Sequence, residues 1–260
     1  MAERSRRTPG SRQRDVAEYL MSVGTASAQE LADRFDVSLV TAHRDLDELA
    51  RRGLVRKFHG GATAQPSSVF ESNVTYRRQL AVAAKQEIAR AAVDLIEPGM
   101  SVLLDDSTTT LALAELLVDI DPLTVITNFD PIVRLLRGRK NIRLIALGGE
   151  YNELHDSYIG AVCIASARAL HTDLGCYSFA GVAGGGVYHQ EQDVVVTKRA
   201  LLSVASRRVL LVDHGKLGRT ALHRVAELDE FERVVTDSGA SPDSLRELTE
   251  AGVDTTVAHR

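Results

Sequence analysis

Ser27–Ala62, SAQELADRFDVSLVTAHRDLDELARRGLVRKFHGGA, decides how the chain is read. Ser27 followed three residues later by Glu30 has the spacing of a capping box, in which each side chain satisfies a backbone N–H at a helix start. Leu31 and Phe35 then recur at i and i+4, which predicts a helix over 28–35. Asp36-Val37-Ser38 breaks the pattern, and Ser38 offers a second N-cap. In the next helix Ala42, Leu46, Leu49 and Ala50 share one face, leaving Leu39, Val40, Thr41, His43, Arg44 and Asp47 around the rest of the surface. After Gly53 the run Leu54–Gly61 alternates apolar and basic residues and ends in a glycine pair, as a short hairpin does. Helix, tight turn, helix and hairpin in that order read as a winged helix-turn-helix, whose second helix enters the DNA major groove. Upstream, Val16, Leu20 and Val23 predict a supporting helix over 14–23, ended by Gly24.

The chain of 260 residues is 44% hydrophobic and 25% charged, which suits one small and one medium domain. Its net charge is -4, but residues 1–62 hold 11 Lys and Arg against 9 Asp and Glu, and the remainder 20 against 26. The two regions therefore differ in sign, as expected where only one meets a polyanion. Cys163 and Cys176 are far apart and belong to no Cys/His cluster, so neither a disulfide framework nor a metal site is expected. The first 14 residues are basic without a following apolar run, so they read as a tail and not as a signal peptide. Its arginines either stay solvated or touch DNA phosphates. No stretch reaches the roughly 18 apolar residues of a membrane span. A cytoplasmic protein without cofactor and without membrane contact is expected.

Residues 63–78, small and polar around Pro66, read as a linker between a DNA-binding domain at 10–62 and a second domain at 79–260. The second domain opens with an apolar stripe over 79–96, ended by Pro98-Gly99. Short apolar runs then alternate with helical segments: 101–104, 123–126, 142–147, 174–180, 209–212 and 234–235. That alternation predicts an α/β domain with a mainly parallel sheet. Polar and glycine-rich residues follow each run: Asp105-Asp106-Ser107-Thr108-Thr109-Thr110, Thr127-Asn128, Gly148-Gly149, the glycines at 181 and 184–186, Asp213-His214-Gly215-Lys216, and Thr236-Asp237. Ligands of open α/β sheets bind at the carboxyl ends of strands, so these loops define one candidate pocket. The hydroxyls of 107–110 either cap a helix or, with its first amides, hold a phosphate. Lys216 is either the countercharge or a surface lysine, and Lys198-Arg199 is expected on a solvated or interface face of a helix over 194–206.

A family resemblance covers residues 10–240. Arg12, Val16, Leu20, Ser38, Thr41–Leu46 and Phe58–Ala62 resemble the signature of DeoR-type transcriptional regulators, with Ala42 and His43 where Ile and Arg are commoner. The strand-end motifs are similar, in order, to those of that family's sensor domain, which is similar to ribose-5-phosphate isomerase; Ser107 stands where glycine is commoner. The resemblance implies a sequence-specific regulator of sugar metabolism, most often a repressor. It would bind a double-stranded operator as a homo-oligomer under the control of a phosphorylated sugar. The DNA-binding residues are then Thr41, His43 and Arg44 toward base edges, Ser38, Arg56, Lys57 and His59 toward phosphates, and Val40 on the same face. The effector-binding residues are Asp105, Asp106, Ser107, Thr108, Thr109, Thr127, Asn128, Gly148, Gly149 and Lys216. The alternative is a sugar-phosphate isomerase or deaminase with an attached DNA-binding domain, with Asp105, Asp106 and Lys216 as acid and base groups.

Overall fold

The structure, a computed structural model, describes residues 9–51, 54–64, 67 and 71–259. Contacts divide the chain into two compact units, Met1–Gln79 and Leu80–Arg260. The first contains α1 (Pro9–Val23), β1 (Thr25–Ser27), α2 (Ala28–Phe35), α3 (Leu39–Arg51), β2 (Arg56–Phe58), β3 (Gly61–Thr63) and α4 (Val74–Gln79). The capping box forms: Ser27 Oγ accepts from the Glu30 N–H at 3.1 Å, and Glu30 Oε2 accepts from the Ser27 N–H at 2.6 Å. Asp36 ends α2 in the left-handed region at φ +53, and Ser38 Oγ accepts from the Thr41 N–H at 3.2 Å to start α3. Leu20, Leu31, Leu46 and Leu49 are wholly buried at the centre of these helices.

The wing has three strands in the order β1-β3-β2, all antiparallel. β1 is absent from the sequence reading because three residues are too few to show a period. Gly60 turns the hairpin at φ +85, whereas Gly61 is required by space, since a Cβ there would lie 2.4 Å from Ala26 O. α1 begins at Pro9, ahead of the expected 14, so Arg12 and Arg14 of the expected tail are helical. Residues 63–78, expected as a linker, belong in their described part to the first unit: Thr63 pairs in β3, and Ala64 and Tyr76 enter its core. Ser72 Oγ donates to Ala64 O at 2.7 Å. The turn at Gly53, Pro66 of the linker and the first eight residues of the basic tail lie outside the described residues.

The second unit runs α5 (Val82–Val93), β4 (Ser101–Leu104), α6 (Thr108–Leu116), β5 (Leu123–Thr127), α7 (Asp130–Leu136), β6 (Ile142–Ala146), β7 (Glu150–Asn152), β8 (Ser157–Ile159), α8 (Gly160–Arg168) and β9 (Thr172–Tyr177). It continues with β10 (Gly181–Ala183), β11 (Gly186–His189), α9 (Gln192–Leu202), β12 (Ala205–Val212), β13 (His223–Glu227), β14 (Arg233–Thr236), α10 (Pro242–Glu250) and β15 (Asp254–Val257). The helix expected over 79–96 is shorter because Ala81 takes φ +49 ahead of it. Seven strands form one parallel sheet in the order β15-β14-β12-β9-β4-β5-β6. β7 and β8 make a hairpin, and β10, β11 and β13 a small antiparallel sheet.

The strand order defines the candidate site. From β4 the chain adds β5 and β6 outward on one side, then returns to place β9, β12, β14 and β15 on the other. The direction of winding reverses between the neighbours β4 and β9, and in open α/β sheets ligands bind outside the carboxyl ends of the strands at such a reversal. Replacing Ser27 by Ala removes one capping bond and is expected to destabilise the first unit by about 1 kcal/mol. Urea unfolding followed by helical ellipticity checks this, and Ser27→Asp should retain most of the stability.

Candidate functional site

α3 presents an outer surface whose parts are differently constrained. Val40 is 61% exposed on its first turn, with Leu39 beside it, and Arg44 faces solvent one turn on. Thr41 and His43 are half-buried, and the Thr41 hydroxyl lies 2.9 Å from Ser38 Oγ within the cap. Arg56 and His59 project from the wing, but Lys57 Nζ sits 2.5 Å from Asp47 Oδ1 of α3, tying wing to helix. The inner side of α3 holds Asp45, 2% exposed, whose carboxylate accepts from Arg12 Nε at 2.6 Å, Arg12 Nη2 at 3.1 Å and Gln13 Nε2 at 3.1 Å. This clamp fixes the rotation of α3 on α1, and the Asp45 hydrogen bonds raise the Arg12 pKa above its ordinary value.

At the switch point the loop after β4 is buried from Asp105 to Thr110. Lys198 of α9, itself 2% exposed, places Nζ 2.6 Å from Asp105 Oδ2 and 2.7 Å from Asp106 Oδ1. Asp105 Oδ2 also accepts from the Ser178 N–H at 3.0 Å, and Asp106 Oδ2 from Ser157 Oγ at 3.0 Å. Burial wins at Asp105 and raises its pKa; at Asp106 burial is outweighed by Lys198 and then His155, which hold it below the carboxylate range. Burial would lower Lys198, but the two carboxylates raise it, so the ammonium stays charged. Both aspartates, expected to contact a ligand, thus brace the loop through groups of the protein.

The other expected residues divide in the same way. Ser107 caps α6 by accepting from the Thr110 N–H at 3.1 Å, and Thr127 Oγ1 accepts from the Phe129 N–H at 3.1 Å. Gly149 lies where a Cβ would meet Ile159 O at 2.6 Å, while Gly148 is exposed. Asn128 donates through Nδ2 to Tyr158 O at 3.0 Å, but its Oδ1 and the Thr109 Oγ1 are buried without a hydrogen-bond partner among the described residues. Such atoms are costly unless something polar joins them. Thr108 and Thr109 also begin α6, so their N–H groups have no carbonyl one turn back. Lys216, half-buried after β12, donates to Ser178 Oγ at 3.3 Å and lies 3.8 Å from Asp213. The loops after β5, β4, β9 and β12 therefore place two unsatisfied oxygens, free helix amides and one ammonium along consecutive strands.

Lys198, Ser157 and Ser178 are the main residues that sequence reasoning missed. A signal for Lys198 was present: Val194, Lys198 and Leu201 follow i, i+4, i+7, which puts the lysine on a buried stripe and requires an anionic partner. Its neighbour Arg199 is exposed and donates to Val225 O and Arg224 O. His214, in the loop after β12, donates from its backbone to Asp237 Oδ1 at 2.7 Å and places Nδ1 2.6 Å from Oδ2. Among the described residues no helix is long and apolar enough to cross a membrane.

Comparison with known proteins covers both units. Residues 12–68 match the family model of the DeoR-like helix-turn-helix domain, and residues 80–238 that of the DeoR C terminal sensor domain. The L-fucose operon activator of Haemophilus influenzae is 30% identical over 236 residues, 90% of this chain and 94% of that protein. The glycerol-3-phosphate regulon repressor of Escherichia coli is 30% identical over 240 residues, 92% of this chain and 95% of that protein. A ribose 5-phosphate isomerase structure from Methanocaldococcus jannaschii aligns with TM-score 0.38 and 16% identity over 51% of this chain and 52% of that one.

Lys198→Met leaves two buried carboxylates facing each other and is expected to destabilise the second unit by about 3 to 5 kcal/mol. The remaining like charges raise an aspartate pKa in the folded state, so stability is greatest at low pH and falls as pH rises through that value. Melting temperatures between pH 5 and 8 should therefore drop more steeply with rising pH in the variant than in the wild type.

Proposed function

The chain belongs to the DeoR family of transcriptional regulators, and we propose that it is a cytoplasmic repressor of sugar-metabolism genes, released from its operator by a phosphorylated sugar bound at the switch point. The observation that carries this reading is the set of unsatisfied groups at the ends of β4 and β5, beside Lys216. Free N–H groups at the start of α6 attract an anion, and Lys216 supplies the countercharge. Thr109 Oγ1 and Asn128 Oδ1 are suited to water or to sugar hydroxyls. In this reading Asp105 and Asp106 act through Lys198 as supports, and Ser107, Thr108, Thr109, Thr127, Asn128, Gly148, Gly149 and Lys216 form the binding loops. The two relatives, one named for L-fucose and one for glycerol 3-phosphate, support a ligand of the sugar and polyol class.

On the DNA side, Arg44 and His43 read base edges, Val40 meets an apolar base edge such as a thymine methyl, and Arg56 and His59 hold phosphates. Thr41 and Ser38 keep the first turn of α3 in register. Repression followed by release requires only that the effector-bound and DNA-bound arrangements differ, with no further surface for recruiting polymerase. The coupling expected between two such sites is about 1 to 3 kcal/mol, a change of roughly 5- to 150-fold in operator affinity.

Thermal-shift measurement against sugar phosphates, followed by operator binding at fixed salt with and without the compound that stabilises, tests the proposal. Stabilisation by a phosphorylated sugar but not by its unphosphorylated form, with weaker operator binding in its presence, is expected. Lys216→Ala should weaken that stabilisation at least tenfold in apparent affinity while leaving the melting temperature of the free protein within about 1 °C. Arg44→Ala should lower operator affinity and relax sequence preference, about 1 to 3 kcal/mol for one base contact. Tightened DNA binding with the sugar would overturn the reading that the effector releases the protein from its operator.

A further inference from the structure

α9 carries two different surfaces. Its inner side buries Val194, Val195, Thr197, Lys198 and Leu201, whereas Asp193, Val196 and Arg199 are exposed at intervals of three residues. Val196 is 47% exposed, which leaves a branched apolar side chain in water between an acid and a base. The Asp193 carbonyl accepts from Thr197 Oγ1, and the Asp193 carboxylate has no partner among the described residues. Arg199 is braced by two backbone carbonyls, through Nε at 2.9 Å and Nη2 at 2.6 Å, so its guanidinium is held at one place on the surface. The adjoining α8, docked by a 3.3 Å hydrogen bond from the Gly160 N–H to Thr197 Oγ1, exposes Ala161, Val162 and Ala165. Val162 is 64% exposed, and no charged residue occurs between Gly160 and Ala167.

We propose that this face is the interface with a second copy of the chain, formed by α9 packing antiparallel on its mate about a two-fold axis at Val196. Acid, valine and base in that order are self-complementary under a two-fold operation. Asp193 of one copy meets Arg199 of the other, the reverse pair forms symmetrically, and Val196 meets Val196 on the axis. Asp193 and Arg199 lie about 4.5 Å along the helix on either side of Val196, at 1.5 Å rise per residue, so the two-fold brings Asp193 of one helix level with Arg199 of its mate. An unrelated partner leaves this symmetry of the sequence unexplained. The uncharged surface of α8 extends the contact without placing like charges opposite one another. The interface goes beyond the proposed function, and its helix is the one whose other side holds Lys198 against Asp105 and Asp106, so ligand loop and dimer axis share a single rigid element.

Sedimentation and light scattering of the full chain test the interface, with circular dichroism confirming that each variant is folded. The wild type should be at least dimeric at micromolar concentration. Val196→Glu, a change at an exposed position, places like charges together on the axis and should raise the dimer dissociation constant at least tenfold. Asp193→Arg and Arg199→Glu should each weaken self-association, and mixing the two folded variants should restore a heterodimer because opposite charges then face each other at both ends. A monomeric wild type, a dimer indifferent to Val196→Glu, or variants that do not pair on mixing would overturn the proposal. A wild type that dimerises through Val196 but ignores every sugar phosphate would leave the interface standing and count against the effector reading alone.

Discussion

One buried ammonium organises the second unit. Lys198 reaches from α9 to Asp105 and Asp106 at the end of β4, and the same two carboxylates hold Ser178 after β9 and Ser157 in the β8 hairpin. Four segments distant in sequence are thereby referred to one charge. Three ionisable groups in so small a buried volume are stable only when each is paired and hydrogen-bonded, so the loop that starts α6 has little freedom to move apart from α9. A ligand that alters that loop acts on α9, and the outer side of α9 carries Val196.

The helix-turn-helix unit solves the same problem on a smaller scale. Asp45 lies inside α3 and takes three hydrogen bonds from Arg12 and Gln13, which sets the helix rotation and with it the direction of Val40 and Arg44. The wing is fixed from the opposite side by Lys57 on Asp47. Val40 and Arg44 therefore stand on a helix held at both faces.

Much of this was legible in the sequence. The capping box, the helix-turn-helix and the strand 101–104 follow from local spacing, and local spacing is what the chain satisfies there. The reading lost ground where structure depends on distant partners. Residues 63–78 look like a linker because they are small and polar, yet Ala64 and Tyr76 close the core of the first unit. Asp105 and Asp106 follow a strand and match the family's sensor-domain motif, but Lys198, the side chain that engages both, is remote in sequence. β1 and β15 are short or polar strands whose existence is decided by their neighbours. Glycines showed the limit from another side: Gly61 and Gly149 are set by the approach of Ala26 and Ile159 carbonyls, contacts that no spacing rule contains.

The central claim is that a small anion-bearing ligand binds where winding reverses between β4 and β9. Hydrogen–deuterium exchange of the full chain, with and without a phosphorylated sugar that raises its melting temperature, tests this most directly. The account predicts slowed exchange in 106–111, 127–129, 178–180 and 214–217, the loops leaving β4, β5, β9 and β12. Protection confined to other segments, with these loops exchanging as in the free protein, would contradict it.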